Sequence, residues 1–248
     1  MERIAVFAAL RWECRPVLRQ LHQTTRTRVA DFAAWRGVAA GHQVWVVKTG
    51  MGMAHAAAAA RAVSDTSEFG LFVSTGCAGA LASDMQPGDV HVASAVVRNP
   101  TGERLETDGA QREHAYRVAT DAALRTSIGT VLCSPHALAT AAEKHAAAAA
   151  HGAFAVEMEG AAIAAQAAQV GVPFISVRTI LDTAETELRY AGRFVDSQTG
   201  AVKPLALAAY LATHPGAVAD LLAMQQMMRA AQTSLERFFA AWFPTLNS

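Results

Sequence analysis

The sequence predicts an α/β/α sandwich on a central mixed sheet, with helices added at the C-terminal end. Two observations carry that prediction. Short apolar runs of strand length alternate with longer helical segments through most of the chain. Alanine supplies 56 of the 248 residues, with runs at Ala56–Ala60 and Ala146–Ala150; it is the best helix former, and its small side chain lets a helix lie close on a sheet.

The elements follow in order. Ile4 to Leu10 is a short apolar run broken by Arg11, which reads as a buried strand. A short helix is expected over Arg15 to His22. Val29 to Trp35 and Gln43 to Lys48 read as a strand pair joined by a turn around Gly37 to Gly41. Gly50-Met51-Gly52 breaks the pattern before a helix over Ala54 to Val63. Leu71 to Ser74 reads as a buried strand that ends in a glycine loop, Thr75-Gly76-Cys77-Ala78-Gly79. Asp89 to Val97 alternates as a strand and turns at Asn99-Pro100-Thr101-Gly102.

Residues 101–126 are polar and weakly patterned, and are expected to form a mobile connection with one or two short elements. Beyond them come a strand (Ile128 to Cys133), a helix (Ala137 to His151), a short strand (Phe154 to Val156) and a helix (Gly160 to Val170). A long strand, Phe174 to Leu181, is closed by Asp182. With no internal repeat and no linker, residues 1–248 are expected to form a single domain with a helical extension over 203–246. In that extension two helices, Pro204 to Thr213 and Gly216 to Trp242, are separated by His214-Pro215. Val218, Leu221, Leu222, Leu235, Phe238, Phe239 and Trp242 recur at spacings of three and four. Such a stripe packs on the domain or a partner subunit, or it meets lipid or an apolar substrate.

Composition excludes several function classes. Lys plus Arg and Asp plus Glu are both 21, so a nucleic-acid partner is not expected. Three scattered cysteines without a Cys-x-x-Cys argue against a disulfide framework or zinc cluster, and point to a cytoplasmic setting. Arg11-Trp12-Glu13 interrupts the N-terminal apolar run too early for a signal peptide, and no apolar run reaches membrane-spanning length. Gly50-x-Gly52 lacks the third glycine and the downstream acid of a dinucleotide fingerprint. The histidines show no metal-ligand spacing.

Chemistry is expected at the strand ends, where loops and helix N-termini converge in such sheets. Glu13, Glu159 and Asp182 each follow an apolar strand, a costly position for a carboxylate without partners. Each could be a helix-start acid or a turn cap; together with two glycine loops they suggest a shared acidic pocket.

Those residues carry a family signature. Phe154-Ala155-Val156-Glu157-Met158-Glu159-Gly160-Ala161, followed by the strand ending Arg178-Thr179-Ile180-Leu181-Asp182, closely resembles the nucleoside phosphorylase and nucleosidase superfamily. Thr75 to Ala80 and Lys48 to Gly52 match its other two loops, and the likeness runs in order through residues 1–185. The resemblance implies cleavage of the N-ribosidic bond of a purine nucleoside, with no metal or organic cofactor. It implies Asp182 as the acid that protonates the purine and Glu13 as the base that activates water. Glu159 would hold the ribose hydroxyls, Met158 would lie against the sugar, and Glu157 would assist. Cys77, Ala78, Gly79 and Gly52 would complete the substrate pocket.

Inorganic phosphate is the other nucleophile the family uses. Its hexameric phosphorylases carry arginine where this sequence has Ser74 and serine where it has Cys77, which removes two phosphate contacts. Gly50, Gly52, Arg11 or Arg15 could compensate. The stacking phenylalanine of the small nucleosidases is also missing from Ser134 to Leu138, which leaves His136 or Trp12 as candidates. Cys133-Ser134-Pro135, Glu143-Lys144, and the stretch from Asp182 to Asp196 resemble the hopanoid-associated phosphorylase branch. That likeness implies adenosylhopane as substrate, and peripheral contact to a membrane is left open by the apolar tail. The alternatives are a methylthioadenosine/adenosylhomocysteine nucleosidase and a non-catalytic module that binds a nucleoside or lipid. The neutral charge and apolar tail suggest a homo-oligomer.

Overall fold

The computed structural model describes residues 3–188 and 217–246, and within them ten strands join into one mixed sheet. The strands are β1 (Arg3–Ala8), β2 (His22–Val29), β3 (Phe32–Ala39), β4 (His42–Lys48), β5 (Leu71–Ala80), β6 (Val90–Arg98), β7 (Arg104–Glu106), β8 (Thr126–Cys133), β9 (Ala155–Glu157) and β10 (Phe174–Asp182). The helices are α1 (Arg11–Leu18), α2 (Met53–Ser64), α3 (Gly109–Asp121), α4 (Ala141–His151), α5 (Gly160–Val170) and α6 (Ala217–Trp242).

Strand β5 is the pivot. It pairs in parallel with β1 and β10 and antiparallel with β9. Because β10 also pairs β6, β6 pairs β8 and β8 pairs β9, these five strands close into a ring. A closed ring leaves no exposed edge. The other flank, β1-β4-β3-β2, stays open and ends on β2.

Side chains alternate across the sheet with the two-residue period of a strand. Ala5 and Phe7 of β1 enter a core with Phe72 beneath α2 and α5. Ile4 and Val6 enter the opposite core, beneath α1, α3 and α6. In α2 the buried stripe is Ala56, Ala59, Ala60 and Val63, the spacing of one helical face.

Several sequence expectations need correction. The first helix is Arg11–Leu18 rather than 15–22, because Glu13 accepts the N–H of Leu10 at 2.8 Å and starts the helix directly after β1. The expected strand pair is a three-strand meander, and Gly37 lies inside β3 against Leu21 rather than in a turn. Strand β2 escaped notice because its outer-edge residues His22 to Arg26 are polar and exposed. The glycine loop at 75–79 is strand, paired along its length by β10 and at Gly79 also by β9.

The stretch 101–126 is not a mobile connection. It contains β7 and the thirteen-residue α3, whose N-terminus is capped by Asp108 accepting from Gln111 N at 2.9 Å. Its pattern is weak because the helix buries only Ala115, Val118 and Ala119. Helix α4 starts at Ala141, where Thr140 and Glu143 form a reciprocal cap, so residues 134–140 are loop.

The helix expected over Pro204–Thr213, and Phe194 to Asp196 of the branch likeness, lie outside the described residues. Helix α6 packs its stripe on the body of the protein: Leu235, Phe238, Phe239 and Trp242 are fully buried against α1, α3 and the sheet. That half of the stripe is core and is not available to lipid; Leu222, near the other end, is exposed. Among the described residues no helix is long and apolar enough to cross a membrane.

Candidate active site

Sheet register brings the strand ends together. Asp182 of β10 stands beside Gly79 of β5, and Gly79 stands beside Val156 of β9. A Cβ on Gly79 would lie 3.3 Å from both Asp182 Oδ2 and a Val156 methyl, so the small residue permits this approach. A cleft opens over the junction. Its lining includes Glu13, Cys77, Ala78, Gly79, Met158, Glu159 and Asp182, all expected from the sequence.

Glu13 comes from the first turn of α1. One carboxylate oxygen accepts from Leu10 N and the other from Cys77 N, both at 2.8 Å. Burial raises its pKa above the ordinary carboxylate value, against the pull of those N–H groups and of Arg178. Glu159, at the start of α5, accepts from Gly52 N at 2.7 Å. Burial, then the neighbouring Glu157, push its pKa up to about 8. Gly52 therefore acts on the cleft through Glu159, and its φ of +92° is one that glycine adopts readily.

Asp182 is 2% exposed. Burial raises its pKa, and the Lys144 ammonium that donates to Oδ2 opposes that rise. Burial, and then Glu13, push the Cys77 thiol well above its ordinary value, so it stays a neutral thiol 3.7 Å from the Thr179 hydroxyl.

Glu157 also borders the cleft, but its carboxylate faces inward. It forms a buried ion pair with Arg178 and accepts from the N–H groups of Glu159 and Gly160 at 2.8–3.0 Å. Arg178 further donates to Ser74 Oγ at 2.6 Å and to the Thr75 carbonyl at 3.1 Å. The possible phosphate donors are likewise occupied or remote. Gly50 N donates to the Ala9 carbonyl, and Arg11 and Arg15 are exposed and absent from the cleft lining.

His136 and Trp12 both line the cleft. Met51, Leu10, Leu138, Leu181 and Leu188 supply apolar walls that the sequence did not single out as a set. Lys144, named in the sequence only for the branch likeness, was not among the expected site residues. A signal existed: it lies three and four residues before Ala147 and Ala148, which face the core. Among the described residues no group of three His, Cys, Asp or Glu side chains is placed to hold a metal.

Residues 3–209 match the sequence profile of the phosphorylase superfamily. The chain belongs to the phosphorylase superfamily. Membership makes it an enzyme of the nucleoside phosphorylase or nucleosidase kind.

Within the superfamily, a 5'-methylthioadenosine/S-adenosylhomocysteine nucleosidase of Shewanella halifaxensis is 26% identical over 207 residues, covering 75% of this chain and 88% of that protein. A purine nucleoside phosphorylase of the DeoD type from Streptococcus gordonii is 30% identical over 166 residues, covering 62% and 69%. The crystal structure of the Neisseria meningitidis 5'-methylthioadenosine/S-adenosylhomocysteine nucleosidase, in complex with methylthio-immucillin-A, has a TM-score of 0.80 at 19% identity. It covers 99% of this chain and 100% of its own, and it shows the shared fold.

Proposed function

We propose that this phosphorylase-superfamily enzyme hydrolyses the N-ribosidic bond of an adenosine carrying an apolar 5′ substituent, releasing adenine. The observation that carries the reading is the convergence of Glu13, Glu159 and Asp182 on one apolar-walled cleft. Breaking the bond makes an oxocarbenium-like sugar and a poor leaving group, the purine anion. Asp182, whose pKa burial raises, gives a proton to the purine so that adenine leaves neutral. Glu13, oriented by two N–H donors, takes the proton of the water that adds to the anomeric carbon. Glu159 accepts from the ribose hydroxyls, Met158 lies under the sugar, and His136 or Trp12 stacks the base.

Water is favoured over phosphate by electrostatics. Arg178, Lys144 and the N–H groups of Gly50, Gly52 and Cys77 already have protein acceptors. Among the described residues these cations are thus already committed, and a phosphate dianion beside an ionised lining carboxylate at 4 Å would cost about 4 kcal/mol at an effective dielectric of 20.

Two substrates fit the proposal. Similarity to the Shewanella enzyme supports methylthioadenosine; likeness to the hopanoid-associated branch supports adenosylhopane. The test is adenine release from each, with and without phosphate. The expected result is phosphate-independent release, abolished by Asp182→Asn and by Glu13→Gln. Release that requires phosphate would overturn the hydrolytic reading, and near-normal turnover by Asp182→Asn would overturn the acid.

A further inference from the structure

We propose that Lys144 is a positioning residue for the acid step: from inside α4 it grips Asp182 by Oδ2 alone and leaves Oδ1 to the leaving base. The inference rests on the reading of Asp182 as the acid. Lys144 is fully buried. Its ammonium has three N–H donors and finds three acceptors: Asp182 Oδ2, the Thr183 carbonyl at 2.8 Å and the Thr186 carbonyl at 2.9 Å. A saturated tripod fixes direction as well as charge. Among the described residues no other group donates a hydrogen bond to the Asp182 side chain.

The same tripod holds the cleft wall. Thr183 and Thr186 are joined through their hydroxyls at 2.8 Å, and two residues later Leu188, which lines the cleft, donates its N–H to the Ala139 carbonyl at 2.7 Å. The loop acids are turned elsewhere: Glu185 bonds His145 at 2.8 Å, and Glu187 accepts from Ala141 N at 3.3 Å. Facing Asp182 are Lys144 from α4 and the neutral Cys77 from β5. Glu13, Glu157, Glu159 and His136 border the same cleft. Lys144 is thus the cation that faces the acid directly, while Arg178 of the same strand is committed to Glu157.

Turnover needs protonated Asp182, so the rate falls as pH rises through its ionisation. Lys144 favours the carboxylate and draws that descending limb to lower pH. Removing the ammonium with Lys144→Met, which keeps an unbranched apolar stem, is expected to move the limb of adenine release from 5′-methylthioadenosine or adenosylhopane upward by about one to three pH units. Loss of orientation lowers kcat roughly 10- to 100-fold with little change in KM. A limb at its wild-type pH, with only a lower Tm, would make Lys144 a fold residue and overturn the inference.

Asp182→Asn belongs in the same series. If it retains turnover, the acid assignment itself fails. If it is inactive while Lys144→Met keeps the wild-type kcat and limb, only the role of Lys144 fails. Should Lys144→Met not fold, the wild-type enzyme still decides. The 15N resonance of the Lys144 ammonium is expected to shift at the pH of the kinetic limb, and a resonance that stays constant through that limb would overturn the pairing.

Discussion

Arg178 and Glu157 form an ion pair whose side chains are 2% and 1% exposed, directly behind the cleft. The pair joins β10 to the end of β9, and each partner bonds further groups: Arg178 the Ser74 hydroxyl, Glu157 the N–H groups of Glu159 and Gly160 at the start of α5. One acid of the sequence motif is thereby committed to structure, while its neighbour Glu159 is left to the cleft with a raised pKa. The arginine that could have met an anionic nucleophile is neutralised.

Breaking that pair leaves a buried charge without its partner. Arg178→Met is expected to cost about 3–5 kcal/mol. For a chain of this size that is a fall in Tm of roughly 6–20 °C, read by thermal melting. A Tm equal to the wild type would mean that Glu157 finds another donor.

Gly76 has a φ of +135°, and a Cβ there would lie 2.6 Å from Glu13 Oε1 and 2.9 Å from its carboxyl carbon. Gly76→Ala therefore strains the backbone and displaces the proposed base together. Turnover is expected to fall about 100-fold. Gly102→Ala is the control: φ is +73° but nothing lies within 4 Å, so it should lose about 1 kcal/mol of stability and no activity. Equal kinetics for the two variants would separate Gly76 from Glu13.

The legible parts of the fold were those whose signal is local. β1, β6 and β10 announce themselves by apolar runs, and α2 by its alanine stripe. β2 was hidden because a polar outer edge carries no burial pattern, and α3 because three small residues are all it buries. The ring β5-β10-β6-β8-β9 depends on pairings between distant segments, which no local window contains. In the site, acids after apolar strands could be read from cost alone. The direction of Glu157 could not, since it depends on Arg178 twenty-one positions away. The same holds for Lys144, whose partner sits on another element.

Glu159 gives a pH signature. Its folded pKa of about 8 lies above the ordinary 4.5, so between those values the native protein holds a proton that the unfolded chain releases. Its contribution to stability is complete below pH 4.5, declines as pH rises, and is lost above about 8. Sugar hydroxyls donate to the ionised form, so KM is expected to fall as pH climbs toward about 8. Glu159→Gln should flatten that dependence of KM and raise KM throughout. A KM profile unchanged by the substitution would remove Glu159 from sugar binding.

The C-terminal stripe yields a prediction about its own role. Trp242 is fully buried, stacked on Phe238 at 5.9 Å and packed against Phe239 and Phe243. Trp242→Ala empties that site and is expected to cost about 3–5 kcal/mol. Its indole Nε1 has no hydrogen-bond partner among the described residues, so Trp242→Phe forfeits packing volume but no bond. The phenylalanine variant should therefore recover much of the stability lost by the alanine variant, measured as chemical denaturation midpoints. If the two variants are equally unstable, ring volume is not what holds α6. If neither is destabilised, the aromatic cluster is dispensable to the fold and the stripe would again need an external partner to explain it.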